Sequence, residues 1–243
     1  MLESWHMLRF ALIVTALAAA LGVVGQASSE VTRHPCVPKS AEIRFKAADG
    51  TRLAGYRLGR GKTAVVLAHQ TRADACQWGS YARRLAGRGY LVIAFDFRGY
   101  GDSQTRNFRA SGRLSADVAA AARAARQRGA EKVFAIGASM GGTAVIAAGA
   151  HARPHLSGVI SLSAPASFGV VSAINAAPKL TVPVLYVAGQ FDGDFAADAQ
   201  RLYDATASTD KAIHIFPVGQ HGVDFVRSDT RARGLLEAFI RSH

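Results

Sequence analysis

Short apolar runs that alternate with helical stretches constrain the fold of this chain more than any other feature. The runs lie at residues 63–68, 90–95, 133–136, 159–162, 184–187 and 213–216. Their length and character suit parallel strands that are buried on both faces. Helical patterns separate them at residues 78–87, 115–128, 141–150, 195–205 and 230–241, and Ser115 is placed to cap the second of these.

An antiparallel hairpin is predicted ahead of these runs. Residues 41–47 and 52–58 alternate apolar and polar side chains around Asp49-Gly50. A hairpin followed by alternating strands and helices predicts an α/β fold, with a mostly parallel doubly wound sheet of about eight strands and helices on both faces. The length of 243 residues suits one such domain, which we place at residues 41–243.

The N-terminal stretch has a composition of its own. Residues 10–24 are uncharged and apolar except for Thr15; Arg9 precedes them and small residues follow at 25–29. This order is typical of a secretory signal peptide. The run is also shorter than the roughly 20 residues that a membrane span needs.

We therefore predict a signal peptide over residues 1–27, a linker over residues 28–40 and an exported protein, periplasmic or secreted. An uncleaved signal that anchors the protein in the membrane is the alternative, and Met7 is an alternative start. In an oxidising compartment the two cysteines, Cys36 and Cys76, would form a disulfide that ties the N-terminal arm to the domain. Two unpaired thiols are the alternative.

The formal net charge of +12 comes mostly from arginine. It favours basic side chains spread over solvated faces, with weak association to an anionic membrane surface as the alternative. The basic residues do not cluster with aromatic residues, and export argues against nucleic acid as a partner. Metal-type cysteine spacings are absent, so we expect neither a metal nor a cofactor.

A serine stands on a predicted strand-to-helix turn. Residues 137–141 read Gly-Ala-Ser-Met-Gly, between an apolar run and a small-residue helix. This matches the Gly-x-Ser-x-Gly pattern in the strand–turn–helix setting that exposes a nucleophilic serine, here Ser139. A serine that serves only the turn is the alternative.

A serine nucleophile needs a base, and the base needs an acid that orients it. Asp192 follows the penultimate apolar run and His221 follows the last one. Because parallel strands end at the same edge of a sheet, Ser139, Asp192 and His221 should meet there. Asp194 is the competitor for the acid.

Together these motifs resemble the α/β-hydrolase family over nearly all of residues 41–243. The His-Gln pair at 69–70 is similar to the family's His-Gly loop, and the stretch DFRGYGDS at 96–103 is similar to its Asp-x-Arg-Gly-x-Gly-x-Ser turn. The resemblance implies Ser139 as nucleophile, His221 as general base and Asp192 as orienting acid.

The resemblance also implies an oxyanion hole. One donor would be the amide of Met140, and the other would be the amide of Gln70 or Thr71, with Thr71 the better positional match. Glutamine at position 70 departs from the family's usual glycine. We expect His69 to be structural and to shape this loop.

The stretch before the acid is too short for a cap domain. Residues 163–181 can hold a turn or one short helix, which predicts an open site for a small or accessible ester. A dienelactone-hydrolase-like or carboxylesterase-like enzyme fits best. A peptidase or acyltransferase with the same triad, or a catalytically silent binding protein on this fold, are the alternatives. Trp78, Phe168 and Phe191 are candidates either for the acyl pocket or for core packing.

Overall fold

A computed structural model describes residues 34–104 and 113–243. The main sheet contains β1 (Glu42–Lys46), β2 (Arg52–Leu58), β3 (Thr63–Ala68), β4 (Leu91–Phe95), β5 (Lys132–Ala138), β6 (Gly158–Leu162), β9 (Val184–Gly189) and β10 (Lys211–Phe216). A separate small hairpin pairs β7 (Ser167–Phe168) with β8 (Val171–Ser172). The helices are α1 (Gly79–Gly87), α2 (Leu114–Arg126), α3 (Met140–His151), α4 (Ala173–Ala176), α5 (Phe195–Ala205), α6 (Asp224–Ser228) and α7 (Thr230–Ser242), with 3-10 turns at Lys39–Ala41, Ala75–Trp78 and Ala177–Lys179.

The topology confirms the predicted fold class. The strand order of the eight-stranded sheet is β1-β2-β4-β3-β5-β6-β9-β10. The pairs β1–β2 and β2–β4 are antiparallel, and the remaining pairs in this sheet are parallel. The carboxyl ends of β5, β9 and β10 therefore lie along one edge.

Two apolar layers cover the sheet, one on each face. Along β3, the side chains of Ala64 and Val66 pack with α2 and α3, and those of Val65 and Leu67 pack with α1 and α7. This two-residue alternation is the pleat of a strand. A strand covered on both sides has no polar face, which is why the central runs read as continuously apolar.

Ser115 does not cap α2, so that prediction was wrong. The helix begins one residue earlier, at Leu114, and Arg113 precedes it without a side-chain cap. Ser115 therefore lies inside the first turn, past the position that caps a helix. In the same turn, buried Asp117 accepts hydrogen bonds from the backbone N–H and the guanidinium of Arg98. The sequence pattern of the helix does not reveal this long-range partner.

The described part of the predicted linker packs against the domain. Cys36 and Cys76 form a disulfide, as predicted. Val37 is buried in the layer that contains α1, and His34 Nε2 lies 3.0 Å from the carboxylate of Asp96. Within residues 34–104 and 113–243, no helix has the length and apolar character needed to cross a bilayer. The predicted signal peptide lies outside the described residues.

Removing the disulfide should cost much of the stability of the fold. The bond joins residues 40 positions apart, so replacing both cysteines with alanine should lower the free energy of unfolding by about 3–4 kcal/mol. The melting temperature should fall on the order of 10 °C. Urea unfolding with and without reductant measures this: reductant should destabilise the native protein equally and leave the double variant unchanged. A loss below about 1 kcal/mol would contradict the expectation.

The His34–Asp96 pair should make stability depend on pH. Burial lowers the pKa of His34, but the hydrogen bond and charge of Asp96 outweigh it, so the pKa is raised above 6.5. A raised pKa in the folded state contributes stability that is complete below about pH 6.5 and is lost as the pH rises through the folded value. The stability difference between the native protein and His34→Gln should therefore shrink from pH 6 to pH 9. Exposed His155→Gln is the control, and a difference that stays constant for His34→Gln contradicts the pair's role.

Candidate active site

Ser139 occupies a sharp turn between β5 and α3. Its backbone has φ 50° and ψ −116°, a left-handed conformation that L-residues rarely adopt. Its N–H donates to the carbonyl of Leu162, 2.8 Å away, which fixes the turn to the neighbouring strand. The strain places the serine at the carboxyl edge of the sheet, where the sequence predicted it.

The two outer glycines of the motif are required by close backbone contacts. A Cβ on Gly137 would overlap the carbonyl oxygen of Gly141, and a Cβ on Gly141 would overlap that of Ala68. A side chain at Gly137 would force β5 and α3 apart, and a side chain at Gly141 would force α3 away from the end of β3. The two glycines of the pattern around Ser139 thus follow from backbone packing.

Asp192 and His221 meet across two loops. His221 Nδ1 lies 2.9 Å from Oδ2 and 3.1 Å from Oδ1 of Asp192. The Asp192 loop leaves β9 and the His221 loop leaves β10, and these strands are parallel neighbours. A carboxylate in this position holds a proton on Nδ1 and leaves Nε2 as the basic nitrogen.

Asp194, the predicted competitor, takes a different place. It stands at the N-cap position of α5 and makes no side-chain cap hydrogen bond there. The ring of His221 instead contacts Phe195, the first residue of that helix, with centroids 4.5 Å apart. Among the described residues, Asp192 is the carboxylate bonded to His221.

The His221 loop packs directly onto the serine turn. A Cβ on Gly222 would lie 3.1 Å from the Cβ of Ala138, the residue before Ser139. The N–H of Gly222 donates to Ser163 Oγ at 3.1 Å, and Ser163 itself follows β6. The structure therefore brings the three predicted catalytic residues to one edge of the sheet.

The two candidate oxyanion amides at residues 70 and 71 differ in availability. The N–H of Gln70 donates to Gln77 Oε1 at 3.0 Å, so it is already engaged. Thr71 is exposed in the turn that follows β3, and its Oγ1 lies 3.3 Å from the hydroxyl of Tyr100. This arrangement favours Thr71. Met140 is the first residue of α3, and the first N–H groups of a helix have no intrahelical acceptor.

His69 helps to hold the loop that contains Gln70 and Thr71. The N–H of Phe97 donates to His69 Nε2 at 3.0 Å, so the ring proton lies on Nδ1, which donates to the carbonyl of Gln70 at 2.7 Å. Burial lowers the pKa of His69, which keeps the ring neutral. A neutral, doubly hydrogen-bonded histidine is a structural group, as the sequence predicted.

The side chains that join these loops were not predicted from the sequence. Gln70 Oε1 accepts from the N–H of Val223 at 3.4 Å and so links the oxyanion loop to the histidine loop. Gln77 and Ser163 also link loops, because Gln77 Oε1 accepts from the N–H of Gln70 and Ser163 Oγ accepts from the N–H of Gly222. The departure from glycine at position 70 was the one signal in the sequence that pointed to such a link.

The three aromatic candidates separate by burial. Trp78 is completely buried in the layer that contains α1 and packs beside Tyr81, so core packing is its place. Phe168 is partly buried against the opposite layer. Phe191 is 70% exposed beside Asp192. Within the described part of the chain, no cluster of three or more His, Cys, Asp or Glu could hold a metal ion.

Residues 59–174 match the family model described as serine aminopeptidase, S33. No curated protein matched the chain. An esterase from Pyrococcus furiosus has a similar structure, with TM-score 0.71, 17% identity, and coverage of 83% of this chain and 91% of that one. The chain has the α/β-hydrolase fold.

Two further structural neighbours carry the same fold as this chain. An esterase from a Rhodococcus species has TM-score 0.70 and 19% identity, covering 83% of this chain and 99% of its own. The enol-lactonase from Burkholderia xenovorans has TM-score 0.68 and 16% identity, covering 81% and 99%. At such identities the likeness concerns the fold, so the chemistry has to be argued from the site.

Proposed function

We propose that this α/β hydrolase is an exported serine esterase that cleaves small or accessible carboxylic esters. The observation that carries the proposal is the bond between Asp192 and His221 at 2.9 Å, on loops that pack against the turn of Ser139. The left-handed backbone at Ser139 adds to it, because strain of this kind clusters at functional sites. The names of the structural neighbours, two esterases and an enol-lactonase, agree with hydrolysis of esters.

The mechanism uses the two loops and the turn together. His221 Nε2 takes the proton of the Ser139 hydroxyl as Oγ attacks the ester carbonyl, and the alcohol leaves with that proton. Water then gives a proton to Nε2 and attacks the acyl-enzyme, which releases the acid and restores the hydroxyl. Asp192 holds the imidazole in the required tautomer and balances the charge that forms on it.

Two backbone amides stabilise the negative charge in this scheme. The N–H of Met140 lies at the start of α3, where the helix dipole also favours an anion. The N–H of Thr71 is the second donor. Losing one such donor typically slows the reaction about a hundred- to a thousandfold. The neutral His69 and the bond from Gln70 to Gln77 hold the loop that presents Thr71.

The connection between β6 and β9 favours a small or accessible substrate. Residues 163–183 hold only the β7–β8 hairpin, the four-residue helix α4 and a 3-10 turn. Val170 at the hairpin tip is 73% exposed and Phe191 is 70% exposed; within the described residues no other large apolar side chains are so open. Phe191 follows β9 at the carboxyl edge of the main sheet, next to Asp192, so an acyl group at this edge would meet an apolar side chain.

A peptidase with the same residues is the second candidate, because the matched family model is described as a serine aminopeptidase. Assays that pair p-nitrophenyl esters with the matching aminoacyl p-nitroanilides separate the two. We expect turnover of short-chain esters and none of the anilides. Faster turnover of the anilides would replace the esterase proposal, and transfer of the acyl group to an added alcohol in preference to water would indicate an acyltransferase.

Export is the remaining part of the proposal. The disulfide between Cys36 and Cys76 supports it, because disulfides persist in oxidising compartments and are rare in the cytosol. N-terminal sequencing of the protein recovered from the native cell envelope tests it. We expect the chain to begin at Ser28. A chain that keeps residues 10–24 and stays with the membrane would indicate the anchored alternative.

A further inference from the structure

A small cavity lies between α1, α6 and α7, and none of the predicted catalytic residues lines it. Three arginines line it (Arg84, Arg227 and Arg233), together with Ser80, Tyr81 and Val226. Its volume of about 170 Å³ is below the roughly 300–1,000 Å³ of pockets for drug-sized ligands. The occupant it suits is therefore a small charged group.

The arginines are held in place without using all their donors. Arg233 Nη1 donates to the carbonyls of Val226 and Arg227, at 3.0 and 3.2 Å. Arg227 Nη2 donates to the carbonyl of Gln77 at 3.1 Å, and Arg84 Nε donates to Glu237 at 2.7 Å. Each guanidinium has five N–H groups, so donors remain on all three after these bonds. Side chains fixed in this way lose little freedom when an anion binds.

The charges around the cavity do not balance. Buried Glu237 pairs with both Arg84 and Arg88, and Asp224 lies 3.7 Å from Arg227. Within the described residues, Arg233 has no carboxylate within ion-pair distance. The three lining arginines and Arg88 therefore exceed Glu237 and Asp224, the carboxylates paired with them, by two positive charges.

A buried hydroxyl without a partner lines the same cavity. Tyr81 is 2% exposed, and its oxygen has no hydrogen-bond partner among the described residues. Burial raises the pKa of Tyr81 and the charges of Arg84, Arg88 and Arg233 oppose that rise, so these groups surround a hydroxyl that stays protonated. An unmet buried donor is unfavourable, and a bound acceptor would remove that penalty.

We propose that this cavity binds a phosphate group. A phosphate monoester carries about −1.5 to −2 charges at neutral pH and matches the surplus of two. Its oxygens can accept from several directions at once, which suits donors on Arg84, Arg227, Arg233, Tyr81 and Ser80 better than a planar carboxylate does. The proposal concerns binding alone and does not depend on the esterase reaction.

Titration calorimetry with inorganic phosphate, at constant ionic strength set by sodium chloride, tests the proposal on the whole protein. We expect saturable binding at one site. Tyr81→Phe removes only the hydroxyl and should weaken binding about tenfold, and Arg233→Ala should weaken it at least as much. Exposed Arg241→Ala, on the same helix as Arg233, is the matched control and should bind like the native protein.

Absence of saturable phosphate binding would overturn the proposal. It would also be overturned if Tyr81→Phe and Arg233→Ala bound phosphate as tightly as the native protein does. If Arg233→Ala does not fold, Arg233→Lys keeps the charge and loses the planar fork, so it should still bind more weakly. Vesicles containing phosphatidic acid, whose headgroup is a phosphate monoester, then identify the source of the phosphate. Recruitment that is lost in Arg233→Ala and kept in Arg241→Ala assigns a lipid headgroup; phosphate binding without recruitment assigns a soluble phosphate ester.

Discussion

Replacing Ser139 with alanine should lower kcat for a p-nitrophenyl ester by about 10⁴- to 10⁶-fold. The reason is that the substitution removes the nucleophile and leaves only binding and oxyanion stabilisation. The fold should be unaffected, because alanine adds no atoms to the turn and no side-chain hydrogen bond of Ser139 is found within the described residues. Steady-state kinetics on purified protein, with the melting temperature recorded for each sample, measures both effects.

The matched control for this result is Ser115→Ala, in the first turn of α2. It makes the same chemical change far along the chain from the turn, and its kcat should equal that of the native protein. If Ser139→Ala kept activity within tenfold of the native protein while folded, the serine would not be the nucleophile. A contaminating esterase is excluded when Ser139→Ala, prepared in the same way, shows no residual rate.

Asp192→Asn should lower kcat by about 10⁴-fold, whereas Asp194→Asn should change it less than about threefold. The carboxylate of Asp192 accepts the Nδ1 proton of His221 at 2.9 Å. An asparagine amide in that place can donate to Nδ1, which moves the ring proton to Nε2 and removes the base. Asp194 has no bond to the ring and lies at the start of α5.

The two variants differ from the native protein by the same group, two residues apart, so they control for each other. Loss of activity in Asp194→Asn with Asp192→Asn active would assign the acid to Asp194. Equal and small effects in both would mean that His221 needs no orienting carboxylate. Kinetics at several pH values would show whether the remaining activity of Asp192→Asn follows a different titration.

Most of the sheet could be predicted because strands that are buried on both faces appear in the sequence as continuous apolar runs. The predicted runs at 63–68 and 90–95 differ from the observed strands β3 and β4 by at most one residue. The two-residue strands β7 and β8 escaped prediction, because a pair of residues carries no periodicity. Helix α6 escaped for a related reason: at five residues it is little longer than one turn.

The catalytic residues were predicted from the order of their motifs along the chain. The structure brings these residues to one edge of the sheet because β5, β9 and β10 are parallel. The links between loops could not be predicted in this way. Gln70 reaches Val223, 153 positions away, and His34 reaches Asp96, 62 positions away. Such pairs have no spacing rule, since they depend on how loops from different strands pack.

Labelling with a fluorophosphonate probe tests whether Ser139 is an activated nucleophile, because the probe reacts only with an activated serine. The modified residue would be located by mass spectrometry of the folded native protein. We expect one adduct, on Ser139, and we expect that it does not form in His221→Ala. An adduct on another serine, or no adduct on properly folded protein, would contradict this expectation and leave a binding protein on a hydrolase fold.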